Sequence, residues 1–179
     1  MTGTLVDNRG ITLFLERLGR CYSHRGAIYL VGGSSLLLLA AKESTFDIDL
    51  KIEIAPEYHA DFVRCLRQVS RELQFAVEQA SPDQFIPLPT GYLDRSQYIG
   101  RYGSLDVFHF DFYSIALSKL HRGNEKDFDD VANMLKLGII EFDRLDGYFR
   151  EILPRYEELI SADPEDFEAK FALFRSQYE

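Results

Sequence analysis

Two cysteines, Cys21 and Cys65, are too few for a disulfide scaffold, and neither their spacing nor the four histidines suggests a zinc site. Both read as buried free thiols. Long apolar runs are also missing. The longest, Leu36 to Ala41 with its neighbours, falls far short of the roughly 20 residues that a membrane span needs. Nothing at the N-terminus has the charged, apolar, small order of a secretory signal, so a cytoplasmic protein with no membrane partner is expected. Positive charge is in deficit: 20 Lys and Arg against 29 Asp and Glu leave a net charge of −9, which argues against a broad DNA- or RNA-binding surface. A local basic patch stays open, with Arg95, Arg101 and His121-Arg122 as its candidates. There is no internal repeat and no low-complexity tract.

What is present suits a folded enzyme. The 179 residues, 46% of them hydrophobic, are enough to bury a core. Ile11, Phe14, Leu15 and Leu18 recur at helical spacing, and Gly26 suits the end of that helix. A short strand over Ala27 to Val31 runs into Gly32-Gly33. Ser34 or Ser35 then caps an all-round apolar helix through Ala41. Phe46 to Ile54 alternates polar and apolar residues without a lapse, the pattern of a strand with one face inward.

Pro56-Glu57 opens a helix through about Leu73, and Phe75 to Val77 reads as a short strand. Residues 81–91, with three of the six prolines, are irregular. Gln97 to Tyr102 and Leu105 to Phe110 form a hairpin turning at Gly103-Ser104. Helices follow over 112–121, 125–137, 141–160 with an interruption at Pro154, and 164–178. The fold expected is α/β (α+β): a small mixed sheet core over 1–111 and a helical segment over 112–179, packed as one compact unit.

The chemistry concentrates in a strand, then Gly32-Gly33-Ser34, then a buried helix, then a strand bearing Asp47-Ile48-Asp49. Glycines let backbone approach a ligand, and the first amides of a helix offer unpaired donors to a phosphate. Asp47 and Asp49, two apart on a strand, project from one face. Such a pair suits magnesium, one ion or two, which takes oxygen ligands and leaves room for substrate phosphates. Two glycines and two wet aspartates are each common by accident, and their immediate succession is what points to a site.

This order resembles the glycine-serine and paired-aspartate motif of the polymerase-β nucleotidyltransferase superfamily. A second block, Phe110 to Gly123 running into Lys126-Asp127-Phe128-Asp129-Asp130-Val131, is similar to the lysine and aspartate motifs of AbiEii-like nucleotidyltransferase toxins and their bacterial relatives. The resemblance implies that Gly32, Gly33 and Ser34 hold the triphosphate, that Asp47 and Asp49 bind magnesium, and that Lys119 meets a phosphate of the nucleotide, ATP or another triphosphate. Asp127 would orient Lys119 or assist the acceptor. It also implies a third carboxylate on a neighbouring strand, Asp106 or Asp111, with Asp111 favoured because it belongs to the second block.

Each of these has a structural rival. Lys119 could be a solvated lysine, Asn124 with Asp127 a helix start, Asp111 an N-cap, and Asp129 and Asp130 a solvated face. His109 is read as a core residue. The function expected is transfer of a nucleoside monophosphate from an NTP to a hydroxyl acceptor, a tRNA end or a protein, in a toxin–antitoxin or phage-defence setting with a cognate antitoxin. The alternative is a catalytically inactive nucleotidyltransferase fold that binds or regulates.

Overall fold

The computed structural model describes residues 4–158 and 163–178, and the chain divides into two compact units. The first takes in residues up to Ser81 and Gln97–Phe110; the second takes in Pro82–Ser96 and the residues from Asp111 onward.

The first unit begins with α1 (Asn8–Cys21), whose N-cap Asp7 accepts a hydrogen bond from the Gly10 amide. Then come β1 (Gly26–Leu30), α2 (Gly32–Leu38), β2 (Asp47–Ile54), α3 (His59–Leu73) and β3 (Ala76–Gln79). After the excursion through the second unit, the hairpin β4 (Gln97–Tyr102) and β5 (Leu105–His109) completes a sheet of order β3-β2-β1-β5-β4. β1 runs antiparallel to β2 and parallel to β5, and β2 runs parallel to β3.

The alternation expected in β2 sorts its side chains onto two faces. Ile48 and Leu50 join Ile28, Leu30, Leu105 and Val107 in a core built against Phe14 and Leu18 of α1 and Phe62 and Val69 of α3. Asp47, Asp49 and Lys51 take the opposite face because side chains of a strand alternate.

Gly26 opens β1 rather than ending α1, whose C-cap is Tyr22, and two further expectations need correction in this unit. Cys21 and Cys65 are joined by a disulfide that staples α1 to α3, so neither is a free thiol. The pairing was illegible because only the packing of the two helices brings residues 44 apart together. The apolar helix α2 also runs from Gly32, with Val31 rather than Ser34 or Ser35 at its N-cap, and stops at Leu38 rather than Ala41, with Ala40 at positive φ.

The second unit is helical: α4 (Tyr92–Arg95), α5 (Phe112–Arg122), α6 (Glu125–Lys136), α7 (Phe142–Ile152), a 3-10 segment (Leu153–Glu158) and α8 (Pro164–Tyr178). The end of the helix expected over 141–160 falls at 159–160, outside the described residues. Aliphatic side chains and phenylalanines share the core, and Phe149 lies parallel to Phe171 at 3.9 Å and edge-on to Phe167 at 5.0 Å. No described helix is long and apolar enough to cross a membrane.

Candidate active site

The glycine turn and the acidic strand meet because β1 and β2 are antiparallel neighbours: the end of β1 lies beside the start of β2, with Leu30 opposite Leu50. The Val31 amide donates to the Asp49 carbonyl at 3.1 Å. Ser34, fully buried, accepts from the Asp49 amide at 2.9 Å and donates to the Asp47 carbonyl at 3.4 Å. Its hydroxyl therefore fixes the turn to the aspartate strand from within.

Gly32 sits at φ +55°, a conformation that glycine adopts without penalty. A Cβ there would stand 2.8 Å from Asp49 Oδ2, so the missing side chain is what lets this carboxylate lie over the turn. α2 starts at Gly32 with no side-chain cap, since its N-cap is Val31. The first amides of such a helix have no partner within it and carry its positive dipole end.

Tertiary structure adds a third carboxylate. β3 pairs with β2 so that Glu78 stands opposite Asp49, and oxygens of Asp47, Asp49 and Glu78 all lie within 4.8 Å of one another. The aspartates are half-buried and Glu78 is exposed. Three anionic oxygens this close repel unless a cation lies among them, and an all-oxygen donor set of this kind fits a hard divalent ion such as magnesium or manganese.

Glu78 was missed because a lone acid in a four-residue edge strand carries no sequence signal; only its register with Asp49 identifies it. Asp106, one of the two expected third carboxylates, faces Arg101 instead, which donates to both its oxygens and holds its carboxyl below the usual range. His109, buried at the end of β5, meets the Ser35 hydroxyl at 2.7 Å and ties α2 to the sheet. Burial pulls its pKa from 6.5 to about 4, so the ring is neutral at physiological pH and behaves as the core residue expected.

The remaining predicted residues lie in the second unit, each among partners of its own. Asp111 is the N-cap of α5: it accepts from the amides of Tyr113 and Ser114 and the Ser114 hydroxyl, and is clasped by Arg95 through two bonds of 2.9 Å. Lys119, 4% exposed, donates to Asp127 at 3.2 Å and to Asp130 at 2.6 Å. Asp127 also accepts from Arg122 and Asn124, and its own amide is capped by Asn124.

So Lys119 and Asp127 do meet, as the second block implied, but Lys119 is not solvated. Asp130 is buried against it rather than on a wet face, because α5 and α6 fold together across the Gly123 turn at φ +69°. The arginines expected to form a basic patch are likewise engaged, Arg95 with Asp111, Arg101 with Asp106 and Arg122 with Asp127.

A five-stranded mixed sheet flanked by helices, with an uncapped glycine turn set against a carboxylate-bearing strand, is a small α+β nucleotidyltransferase-like core. The chain belongs to a family described as nucleotidyltransferases of unknown function (DUF6036), whose model matches residues 14–179 and thus reaches into both units. No curated protein and no solved structure matches it.

Proposed function

We propose that this nucleotidyltransferase moves a nucleoside monophosphate from a nucleoside triphosphate to a hydroxyl acceptor at the Asp47, Asp49 and Glu78 carboxylates. In that step the acceptor oxygen bonds to the α-phosphorus, the bond from the α-phosphorus to the bridging oxygen breaks, pyrophosphate leaves with the electron pair, and the hydroxyl proton passes to solvent or a neighbouring carboxylate. The observation that carries the reading is the convergence of three carboxylates beside a glycine turn that Asp49 overlies.

Asp47, Asp49 and Glu78 would hold magnesium, which when bound supplies charge neutralisation for the phosphates and favours ionisation of the acceptor hydroxyl. Gly32 and Gly33 admit the phosphates close to the backbone, and the opening amides of α2 donate to them. Ser34 keeps the turn and the aspartates in one rigid frame. The resemblance to AbiEii-like toxins supports a toxin–antitoxin or phage-defence setting in the cytoplasm, with a cognate antitoxin as partner.

Calorimetry with each triphosphate, with and without magnesium, combined with transfer of α-labelled nucleotide to total RNA and protein, tests this. Magnesium-dependent binding and a labelled product that Asp47→Asn and Asp49→Asn abolish are expected; transfer that survives both substitutions sinks the assignment.

A second reading, a nucleotidyltransferase fold that binds or regulates without transfer, draws on two contacts. The Ser34 hydroxyl is bonded to β2 and Lys119 to two aspartates, so two groups expected to grip phosphate hold protein instead. It predicts no labelled product and nucleotide binding, if any, that is indifferent to magnesium.

A further inference from the structure

In a chain of net charge −9, the arginines whose ion pairs were described above sit beside acids, whereas the outer face of α3 is different. Its inner stripe, Phe62, Cys65, Leu66 and Val69, is buried in the first unit, which turns Arg64, Arg67 and Arg71 outward. These three, with His59, Gln68 and Gln79, line a groove of about 940 Å³. Arg64 has only an exposed i,i+3 contact with Asp61 at 2.9 Å, a pair of small worth in water. Arg67 and Arg71 form no ion pair among the described residues. The one acid in the lining, Glu72, accepts from Gln68 at 2.9 Å.

We propose that this groove binds the phosphate backbone of an RNA, and that RNA is the acceptor class of the nucleotidyl transfer; the second clause rests on the function proposed above, the first does not. Positions 64, 67 and 71 follow i, i+3, i+7 spacing on one helix face and span about 10 Å along the axis. That length corresponds to roughly three nucleotide steps of a strand. Guanidinium forks are the side chains best matched to phosphate oxygens.

The lining favours RNA over a protein partner. Its apolar members are Ala60 and Val63, with none of the buried aromatic anchors on which protein interfaces depend. Gln79 in the lining follows Glu78 of the carboxylate trio in β3 and projects to the opposite face, so the groove and the trio flank one sheet edge from its two sides.

Fluorescence anisotropy of the intact protein with a fluorescein-labelled 20-nucleotide single-stranded RNA tests the groove. For about three neutralised phosphates, log K should fall with log salt at a slope near −2. The Arg67→Glu, Arg71→Glu double variant should bind at least about tenfold more weakly, with the slope reduced to about −0.7 as one arginine is left. Arg67→Lys with Arg71→Lys should keep most of the binding, which separates lost charge from lost folding.

Equal affinity for the reversed variant, no RNA binding by the wild type, or capture of polyglutamate in preference to RNA each overturns the proposal. RNA binding that the reversal weakens, with no transfer from any triphosphate, keeps the groove and removes the transfer reading. Transfer to protein, unaffected by the reversal, keeps the transfer reading and overturns RNA as its acceptor.

Discussion

Two clusters of acid in this protein look alike in composition and differ in kind. In the second unit Asp127 and Asp130 converge on Lys119, all three buried, with the more exposed Arg122 and Asn124 bonded to Asp127 from outside. In the first, Asp47, Asp49 and Glu78 converge on one another at the rim of a sheet. Burial demands that charge be balanced within the protein, whereas a half-exposed trio can be completed from outside. This contrast is why we propose the carboxylate trio as the site and the Lys119 cluster as support, although the sequence presents both as short runs of Asp.

The widest test of that contrast is catalytic. Asp49→Asn, or Asp47→Asn, should lower magnesium-dependent transfer by at least ~10³-fold, about 4 kcal/mol of transition-state stabilisation. Unfolding midpoints should hold or rise, because the substitution relieves like-charge repulsion. A large loss of stability would mean that the trio is support as well.

Lys119→Met should do the reverse. Removing the cation takes their shared partner from two buried carboxylates and should cost about 3–5 kcal/mol in denaturant titrations. Nucleotide affinity, measured on the fraction that remains folded, should hold; a selective loss of affinity would return Lys119 to the phosphate role that the second block implied.

The disulfide is testable by thiol titration under denaturing conditions, which should find no free thiol before reduction. Reduction should then lower stability by about 2–4 kcal/mol through the loop that the bridge closes.

A pH effect of about 3 kcal/mol is expected at His109. Its pKa is about 4 in the fold against 6.5 ordinarily, so the unfolded chain binds the extra proton first. The stability it contributes is complete above pH 6.5 and is lost as pH falls toward 4. His109→Gln should flatten that part of the stability profile, read from urea midpoints at successive pH values.

The smallest effect belongs to Glu78. Glu78→Gln should weaken magnesium-dependent nucleotide affinity by ~10-fold, or about 1.4 kcal/mol, with little change in stability, since its side chain is exposed. No change in affinity would reduce the trio to the original pair.

Much of the first unit was legible. The unbroken alternation of β2 placed Asp47 and Asp49 on one face, and the glycine turn located α2, because periods of two and abrupt glycine breaks are local properties of a chain. The N-cap roles of Asp111 and Asn124 were legible as rivals to the catalytic readings, for the same reason. Illegible features involved partners distant in sequence: Glu78 opposite Asp49, Cys21 bonded to Cys65, and Asp130 against Lys119. That the candidate patch arginines Arg95, Arg101 and Arg122 each meet an acid was illegible on the same ground, since such pairing depends on packing rather than on neighbours in the chain.

By itself, then, the order of residues determined a strand, a glycine turn and an acidic strand, because side-chain alternation and backbone freedom are encoded within a few positions. Only tertiary structure decided which acids converge at the sheet rim and which are buried around Lys119, because strand register and helix packing set those distances, and electrostatic energy depends on distance and burial rather than on sequence.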